Sequence, residues 1–243
     1  MSIQAFVPSK AEKYRIFLII GGRNTGKTHL LEDLLFQMRK QIDICVAFCP
    51  TVPTVKMLKK HIPSALVYSE YKDDVLTQLI GKCNDLIERK KRRHTMILVD
   101  DCVFDSKIMK TQNQRLLHLN GRHILSSQII TTQYSMAIPP INRSNIDYVI
   151  ALKEPIKQNR VNLFKHYFGC FDNLKQFESV FSMYTNNYGC LVIDKTIPSN
   201  NVCDIVKYYQ APANIPPFKL CKQVYWHFQN ILDRKKKIPV SSS

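Results

Sequence analysis

The chain has 243 residues, of which 45% are hydrophobic and 22% charged, an ordinary globular composition that excludes a disordered polymer or a fibre. At roughly 150 residues per domain this length allows one large α/β domain or two small ones, either able to bury a real core without disulfide staples. The 35 Lys and Arg against 19 Asp and Glu leave a net charge of +16, which calls for a polyanionic partner such as nucleic acid or an anionic surface.

Taken in chain order, the elements alternate strand and helix. YRIFLII (14–20) is a continuous apolar run between a polar lead and glycines, the pattern of a fully buried strand. KTHLLEDLLFQMRK (27–40) places Leu30, Leu31, Leu34, Leu35 and Met38 at helical spacing. ICVAFCP (44–50) predicts a strand stopped by Pro50, and ALVYS (65–69) a weaker one. A helix is expected over 73–93, its end carrying the basic run Arg89, Lys90, Lys91, Arg92, Arg93 against the helix dipole. The strand TMILVDD (95–101) follows, then QIITTQ (128–133), DYVIALK (147–153) and GCLVIDK (189–195). Such alternation predicts an α/β fold with a mainly parallel sheet and helices on both faces. Beyond Pro212 the composition predicts one terminal helix and a basic, serine-ended tail. The expected division is an extension over 1–12, the domain over 13–212, and the helix and tail over 213–243.

Ile16–Ile20 is the longest apolar run, far short of the roughly 20 residues that span a bilayer, and no secretory layout opens the chain. The expectation is a soluble, intracellular protein with no membrane insertion. Eight scattered cysteines, with no CxxC pair and no histidine at zinc-ligand spacing, read as small buried hydrophobes rather than metal ligands. The tyrosines and phenylalanines are interleaved with apolar residues rather than laid along a polar groove, so most read as core and base stacking has no specific support, and His123 and His166 read the same way.

The chemistry starts directly after the first long strand. Gly21-Gly22-Arg23-Asn24-Thr25-Gly26-Lys27-Thr28 is a full GxxxxGK[ST] string lying between a strand and a helix. Glycines there let backbone N–H groups converge on a phosphate at a helix N-terminus. Lys27 would reach the β- and γ-phosphates of ATP, and Thr28 would offer a hydroxyl to Mg²⁺. The second anchor for Mg²⁺ is an acid ending an adjacent apolar strand. Asp100 fills that place, and Asp101, one residue on, would accept a proton from attacking water. Gln133, at the end of the strand that follows, would position that water beside the γ-phosphate. Arg122 and Arg143, in polar loops outside the sheet, are candidates to reach a phosphate on the same or a neighbouring subunit.

Together these residues resemble the poxvirus-type genome-packaging ATPases of large DNA viruses, within the FtsK/HerA superfamily of P-loop translocases. GGRNTGKT is similar to that family's phosphate loop, ILVDD to its double-acid strand, HLNGRHILSSQIITTQY to its Gly-Arg-His and glutamine block, and INRSNIDYV to its arginine segment. The resemblance covers residues 13–153 and extends loosely to about 195. It implies a RecA-like P-loop fold, nucleotide and Mg²⁺ at Lys27, Thr28 and Asp100, activation by Asp101, sensing by Gln133 and a finger at Arg143. It also implies a homo-oligomeric ring that drives double-stranded DNA into capsids through capsid or portal proteins, in the virion or at cytoplasmic assembly sites. Cellular members of the superfamily usually carry Glu where Asp101 stands, whereas the viral branch tends to show two aspartates. The runs 89–93 and Arg234, Lys235, Lys236, Lys237 are the candidate contacts to duplex phosphates. Two other classes fit a small viral P-loop protein: a nucleoside or nucleotide kinase, and a virion component that binds nucleotide without hydrolysing it.

Overall fold

Alternating faces of the buried strands, not their ends, organise this chain. In the computed structural model, which describes residues 3–102, 105 and 107–236, the elements in chain order are β1 (Gln4–Ala5), β2 (Ile16–Ile20), α1 (Lys27–Met38), β3 (Ile44–Phe48), α2 (Val52–His61), β4 (Val67–Tyr68), α3 (Asp73–Glu88), β5 (Thr95–Asp100), α4 (Gln112–Asn120), β6 (Ser126–Thr132), α5 (Pro140–Arg143), β7 (Tyr148–Leu152), α6 (Lys157–His166), α7 (Leu174–Tyr184), β8 (Gly189–Asp194), α8 (Val202–Ile205), β9 (Val206–Gln210) and α9 (Gln223–Lys236). Met1, Ser2, Lys237 of the terminal basic run and the serine-ended tail lie outside the described residues.

Among the described residues the strands form one sheet in the order β1-β9-β8-β7-β2-β6-β5-β3-β4. Its pairings are parallel except where β8 runs against β7 and β9. Because side chains alternate along a strand, β2 feeds both faces. Leu18 and Ile20 join Val99, Ile130 and Val149 beneath α3, α4, α6 and α7. Phe17 and Ile19 join Leu98, Ile129 and Ile150 beneath α1 and α2. Burial on both sides is why these strands read as unbroken apolar runs. Helices therefore cover both faces of a mainly parallel sheet, as the alternation predicts.

Several boundaries differ from the sequence reading. The helix expected over 73–93 ends at Glu88. Lys90 takes the left-handed conformation (φ +56°), and the Lys91 N–H closes back on the Leu86 carbonyl at 2.8 Å, a termination that fixes the chain's exit. The basic run thus lies just past the helix. The segment after Pro212 is not one helix either. Pro216 and Pro217 lack the N–H groups a helix needs, Cys221 is left-handed (φ +71°), and α9 begins only at Gln223. The non-helical stretch straps across α2: Leu220 N–H donates to the His61 carbonyl at 2.7 Å, and the Phe218 ring stacks on the His61 ring at 3.9 Å between centroids. Phe218 and Leu220 are buried in the same cluster as α1 and α2. At the other terminus the extension supplies edge strand β1, with Gln4 opposite Lys207.

The strap makes a measurable contribution to stability. Phe218→Ala removes a buried ring from between α1 and α2, and is expected to lower the unfolding free energy by about 3 kcal/mol. Urea denaturation followed by circular dichroism reads this directly; a loss under about 1 kcal/mol contradicts a packed strap.

Candidate nucleotide and catalytic site

The phosphate loop hangs from two central strands. Gly21 N–H donates to the Thr132 carbonyl at 3.1 Å, which ties the loop's first residue to the end of β6. A Cβ at Gly21 would lie 2.7 Å from Thr25 Oγ1 and 2.8 Å from a Leu152 methyl, so only glycine fits there. Thr25 Oγ1 donates back to the Gly22 carbonyl at 2.9 Å, and Gly26 turns into α1 through φ +91°, open to glycine alone at little cost. The first turn of α1 then begins with Leu30 N–H on the Gly26 carbonyl at 2.9 Å. The backbone N–H groups over 23–28 have no acceptor among the described residues. They form a concave set of donors of the kind that takes an anion.

Lys27 is 8% exposed beneath this loop. Its Nζ donates to the Gly21 carbonyl at 3.3 Å and pairs with Asp101 Oδ1 at 2.9 Å. Gln133 Nε2 donates to the other oxygen of the same carboxylate, Asp101 Oδ2, at 3.1 Å. Three residues separated widely in sequence therefore form one chain, lysine to acid to amide. Asp101 reaches it because it leaves β5 in the left-handed region (φ +48°), which aspartate tolerates better than most side chains, with its N–H on Thr131 Oγ1 at 3.0 Å.

Asp100 is different. It ends β5 at 3% exposure, directly opposite Thr131 on β6. Its Oδ1 accepts from the Thr131 hydroxyl at 2.7 Å and its Oδ2 from the Cys49 thiol at 3.0 Å. Burial, with the nearby Asp100 charge adding to it, pushes the Cys49 thiol up to about 12, so it serves as a donor and not as a thiolate ligand. Each carboxylate oxygen keeps a second lone pair. Thr28, in the first turn of α1, is exposed, and its hydroxyl has no partner among the described residues. Oxygen donors such as the Thr28 hydroxyl and the Asp100 carboxylate are of the type that a hard cation takes.

Neither arginine joins this group. Arg143 lies at the end of α5, just before β7, at the edge of the sheet opposite the loop, where Lys195 Nζ donates to its carbonyl at 3.2 Å. Its Nη1 approaches Met136 Sδ at 3.9 Å, and its buried Nε lacks a partner among the described residues. Arg122, 62% exposed by its side chain, sits at the same edge, 4.0 Å from Asp147.

Thr131 and Cys49 were not singled out from the sequence. Thr131 was findable, since it lies two residues before Gln133 and so shares its strand face. Cys49 carried no signal, because only the register of β3 against β5, Phe48 opposite Val99, brings it beside Asp100. Also unforeseen is a cleft of about 660 Å³ beside the loop tip, walled by Gln133, Lys153, Ile156 and Tyr188.

No protein-family model matches the chain. In sequence it is similar to an uncharacterised protein of Invertebrate iridescent virus 3, 29% identical over 194 residues that make up 80% of this chain and 74% of that one. A second relative, an uncharacterised protein of Acanthamoeba polyphaga mimivirus, is 25% identical over 204 residues, 80% of this chain and 72% of that one. In structure it is similar to B204, the DNA-packaging ATPase from Sulfolobus turreted icosahedral virus, with a TM-score of 0.61, 16% identity, and coverage of 83% of this chain and 100% of that one. The cytoplasmic domain of the type VII secretion ATPase EccC from Thermomonospora curvata superposes with a TM-score of 0.58 at 9% identity, over 84% of this chain and 26% of that one. The chain therefore has the fold of RecA-like P-loop ATPases, viral genome-packaging ATPases among them, and its sequence relatives are proteins of large DNA viruses.

The Lys27–Asp101 pair has a consequence for ligand affinity. A triphosphate must displace Asp101 from Lys27 and then lie beside that carboxylate, and both effects oppose binding. Asp101→Asn is expected to tighten ATP binding about tenfold, the worth of one charge-assisted hydrogen bond. Equilibrium titration calorimetry with a non-hydrolysable analogue measures it, and weaker binding in the variant contradicts the competition.

Proposed function

We propose that this chain is an ATP-hydrolysing motor that translocates double-stranded viral DNA into capsids. The observation that carries the reading is the convergence of Lys27, Asp101 and Gln133 on one point beneath an anion-binding loop. A lone phosphate-binding loop needs neither the second acid nor the amide; hydrolysis uses both.

ATP would seat its triphosphate on the N–H groups over 23–28, with Gly21, Gly22, Arg23, Asn24, Thr25 and Gly26 shaping the loop. Lys27 leaves Asp101 for the β- and γ-phosphate oxygens, and Asp101 becomes free to take a proton. Gln133, released from Asp101 Oδ2 by the same exchange, turns its amide to the water. The water oxygen bonds to the γ-phosphorus, its proton passes to Asp101, and the bond from the γ-phosphorus to the bridging oxygen breaks, leaving ADP and phosphate. Thr28 and Asp100 would hold Mg²⁺, which when bound neutralises charge on the phosphate oxygens.

DNA is the partner the charge favours. Arg89, Lys90, Lys91 and Arg92 are exposed. Lys90, Arg92 and His123 line a cleft of about 290 Å³ at the sheet edge remote from the nucleotide loop; His123, like His166, is exposed and not part of the core that the sequence suggested. Contacts of this type hold phosphates without reading bases, as a motor that steps along any sequence requires. The exposed residues Arg234 and Lys235 at the end of α9 add to the same charge. Arg143 touches nothing in the site of its own chain, so its role as a finger is in trans, across a homo-oligomeric ring. Capsid or portal proteins are the remaining partners, and sites of virion assembly the place of action. Among the described residues no helix is long and apolar enough to cross a membrane.

Steady-state ATP hydrolysis at several protein concentrations, with and without long duplex DNA and with Lys27→Ala as the blank, tests the motor. DNA stimulation with a more than linear rise in protein concentration is expected. Hydrolysis indifferent to DNA, or transfer of the γ-phosphate to a nucleoside, overturns the translocase; binding without turnover leaves the non-hydrolysing assembly component.

The basic ridge has its own test. Replacing Lys90 and Arg92 by alanine is expected to weaken duplex binding uniformly across sequences and to lower the slope of log affinity against log salt by about 2. Fluorescence anisotropy at several salt concentrations measures it; an unchanged slope places the DNA elsewhere.

A further inference from the structure

The phosphate cradle has two ends. Lys27, Asp101 and Gln133 mark the one where the terminal phosphate belongs. The other is the first turn of α1, Thr28 and His29, where the nucleoside must emerge. Beside that turn opens a cleft of about 350 Å³, walled by Gly26, His29, Tyr188, Gln210 and Ala211.

Its aromatic wall is Tyr188, at the tip of the turn between α7 and β8. Asn187 (φ +51°) and Tyr188 (φ +62°) are both left-handed, and the Gly189 N–H closes the turn on the Asn186 carbonyl at 2.9 Å. A bulky aromatic residue rarely adopts this backbone. The turn is pinned from both sides. Lys153 Nζ, just after β7, donates to Asn186 Oδ1 at 3.3 Å, and Gln210 Nε2, at the end of β9, donates to the Asn187 carbonyl at 2.7 Å. So held, the Tyr188 ring lies over the loop. A Cβ at Gly26 would stand 3.1 Å from its Cδ1. Yet Tyr188 is 69% exposed, more than any core aromatic would be. Opposite it, His29 Nε2 lies 2.8 Å from the Pro212 carbonyl, which can only accept, so that nitrogen carries the proton and the imidazole is fixed as the facing wall.

We propose that Tyr188 is the stacking platform for the nucleobase, which enters the cleft between its ring, His29 and Gln210. The inference rests on the reading that the chain binds ATP. An exposed ring fixed by a strained, doubly anchored turn against a phosphate loop fits a ligand platform better than a packing residue, since it buries little of its own surface. Stacking reads the face of a base and not its edge, so purine triphosphates bind within a few-fold of one another.

The test compares a ligand with a base to one without. Full-length protein is titrated in Mg²⁺ with a non-hydrolysable ATP analogue and, separately, with inorganic tripolyphosphate. Tyr188→Ala is expected to weaken the analogue about five- to 150-fold, the range measured for loss of a base–aromatic stack, and to leave tripolyphosphate unchanged. Tyr188→Phe is expected to restore the analogue. Equal analogue affinity in Tyr188→Ala and the unsubstituted protein overturns the platform while the nucleotide site stands. Parallel loss of both ligands also overturns it, because Tyr188 then only props the loop at Gly26. Binding of neither ligand by the unsubstituted protein removes the nucleotide reading itself.

Discussion

A lysine buried under a glycine loop requires an anion, and Asp101, 2.9 Å away, supplies one. Leaving such an ammonium unpaired would cost several kcal/mol, so the pair is as much a condition of folding as of chemistry. It also dictates neighbours. Lys27 meets Asp101 across β6, the strand that lies between the one before the loop and the one ending in the acids. That strand contributes the Thr132 carbonyl to the loop, Thr131 to both acids and, one residue further, Gln133. The order β2-β6-β5 thus brings the lysine, both acids and the amide together at one end of the sheet. The competition between Asp101 and a phosphate for one ammonium then couples occupancy of the loop to the state of the acid without moving the backbone.

The two edges of the sheet carry different sets of residues. Strands of five to seven residues, at about 3.3 Å each, separate them by roughly 15–20 Å. At one edge stand the loop, the acids and Gln133. At the other, Asp147 gathers Ile16 N–H at 2.9 Å and Arg15 Nη1 at 3.1 Å, with Arg122 close by and the 89–93 ridge beyond α3. Asp147, Glu12 and Asp43 there pair with Arg15, Arg93, Arg122 and Lys222, and the exposed Arg89, Lys90, Lys91 and Arg92 leave that edge with an excess of positive charge, which in the proposed motor faces the polyanion. β6 spans the distance, with Gln133 following its end and the Gly121–Arg122 turn preceding its start. In the proposed motor it is the shortest rigid path between the γ-phosphate and the DNA.

How much of this was legible in the sequence depends on whether the signal is local. The loop, the acid strand and the central strands were readable because each is a contiguous string whose chemistry or burial imposes its composition. Of the edge strands, β4 showed in ALVYS, whereas β1 and its neighbour β9 did not. β1 has two residues, both exposed, and in β9 only Val206 is buried, the other four positions being half-buried or exposed. The stop of α3 at Glu88 was hidden because Lys90, not glycine, takes the left-handed cap. In the last segment the apolar spacing suggested a helix while Pro216 and Pro217 forbade its first part, and the prolines prevailed. Cys49 and Tyr188 were invisible for a further reason: their importance comes from register and from a turn, neither of which leaves a composition.

The two adjacent acids show how far one torsion reaches. Asp100 still has strand geometry, so its carboxylate points along the pairing to Thr131 and is held by a hydroxyl and a thiol. Asp101 is rotated to φ +48°, and its carboxylate swings away from the sheet to Lys27 and Gln133. Had Asp101 continued the strand, alternation would have turned it toward the opposite face and away from the loop. The left-handed turn is therefore what lets neighbouring residues divide the tasks of anchoring and activation. It also explains why a short acid suits the position. From a backbone already turned toward Lys27, one methylene suffices to reach both Nζ and the Gln133 amide, and a second would have to fold back on itself to keep the two contacts.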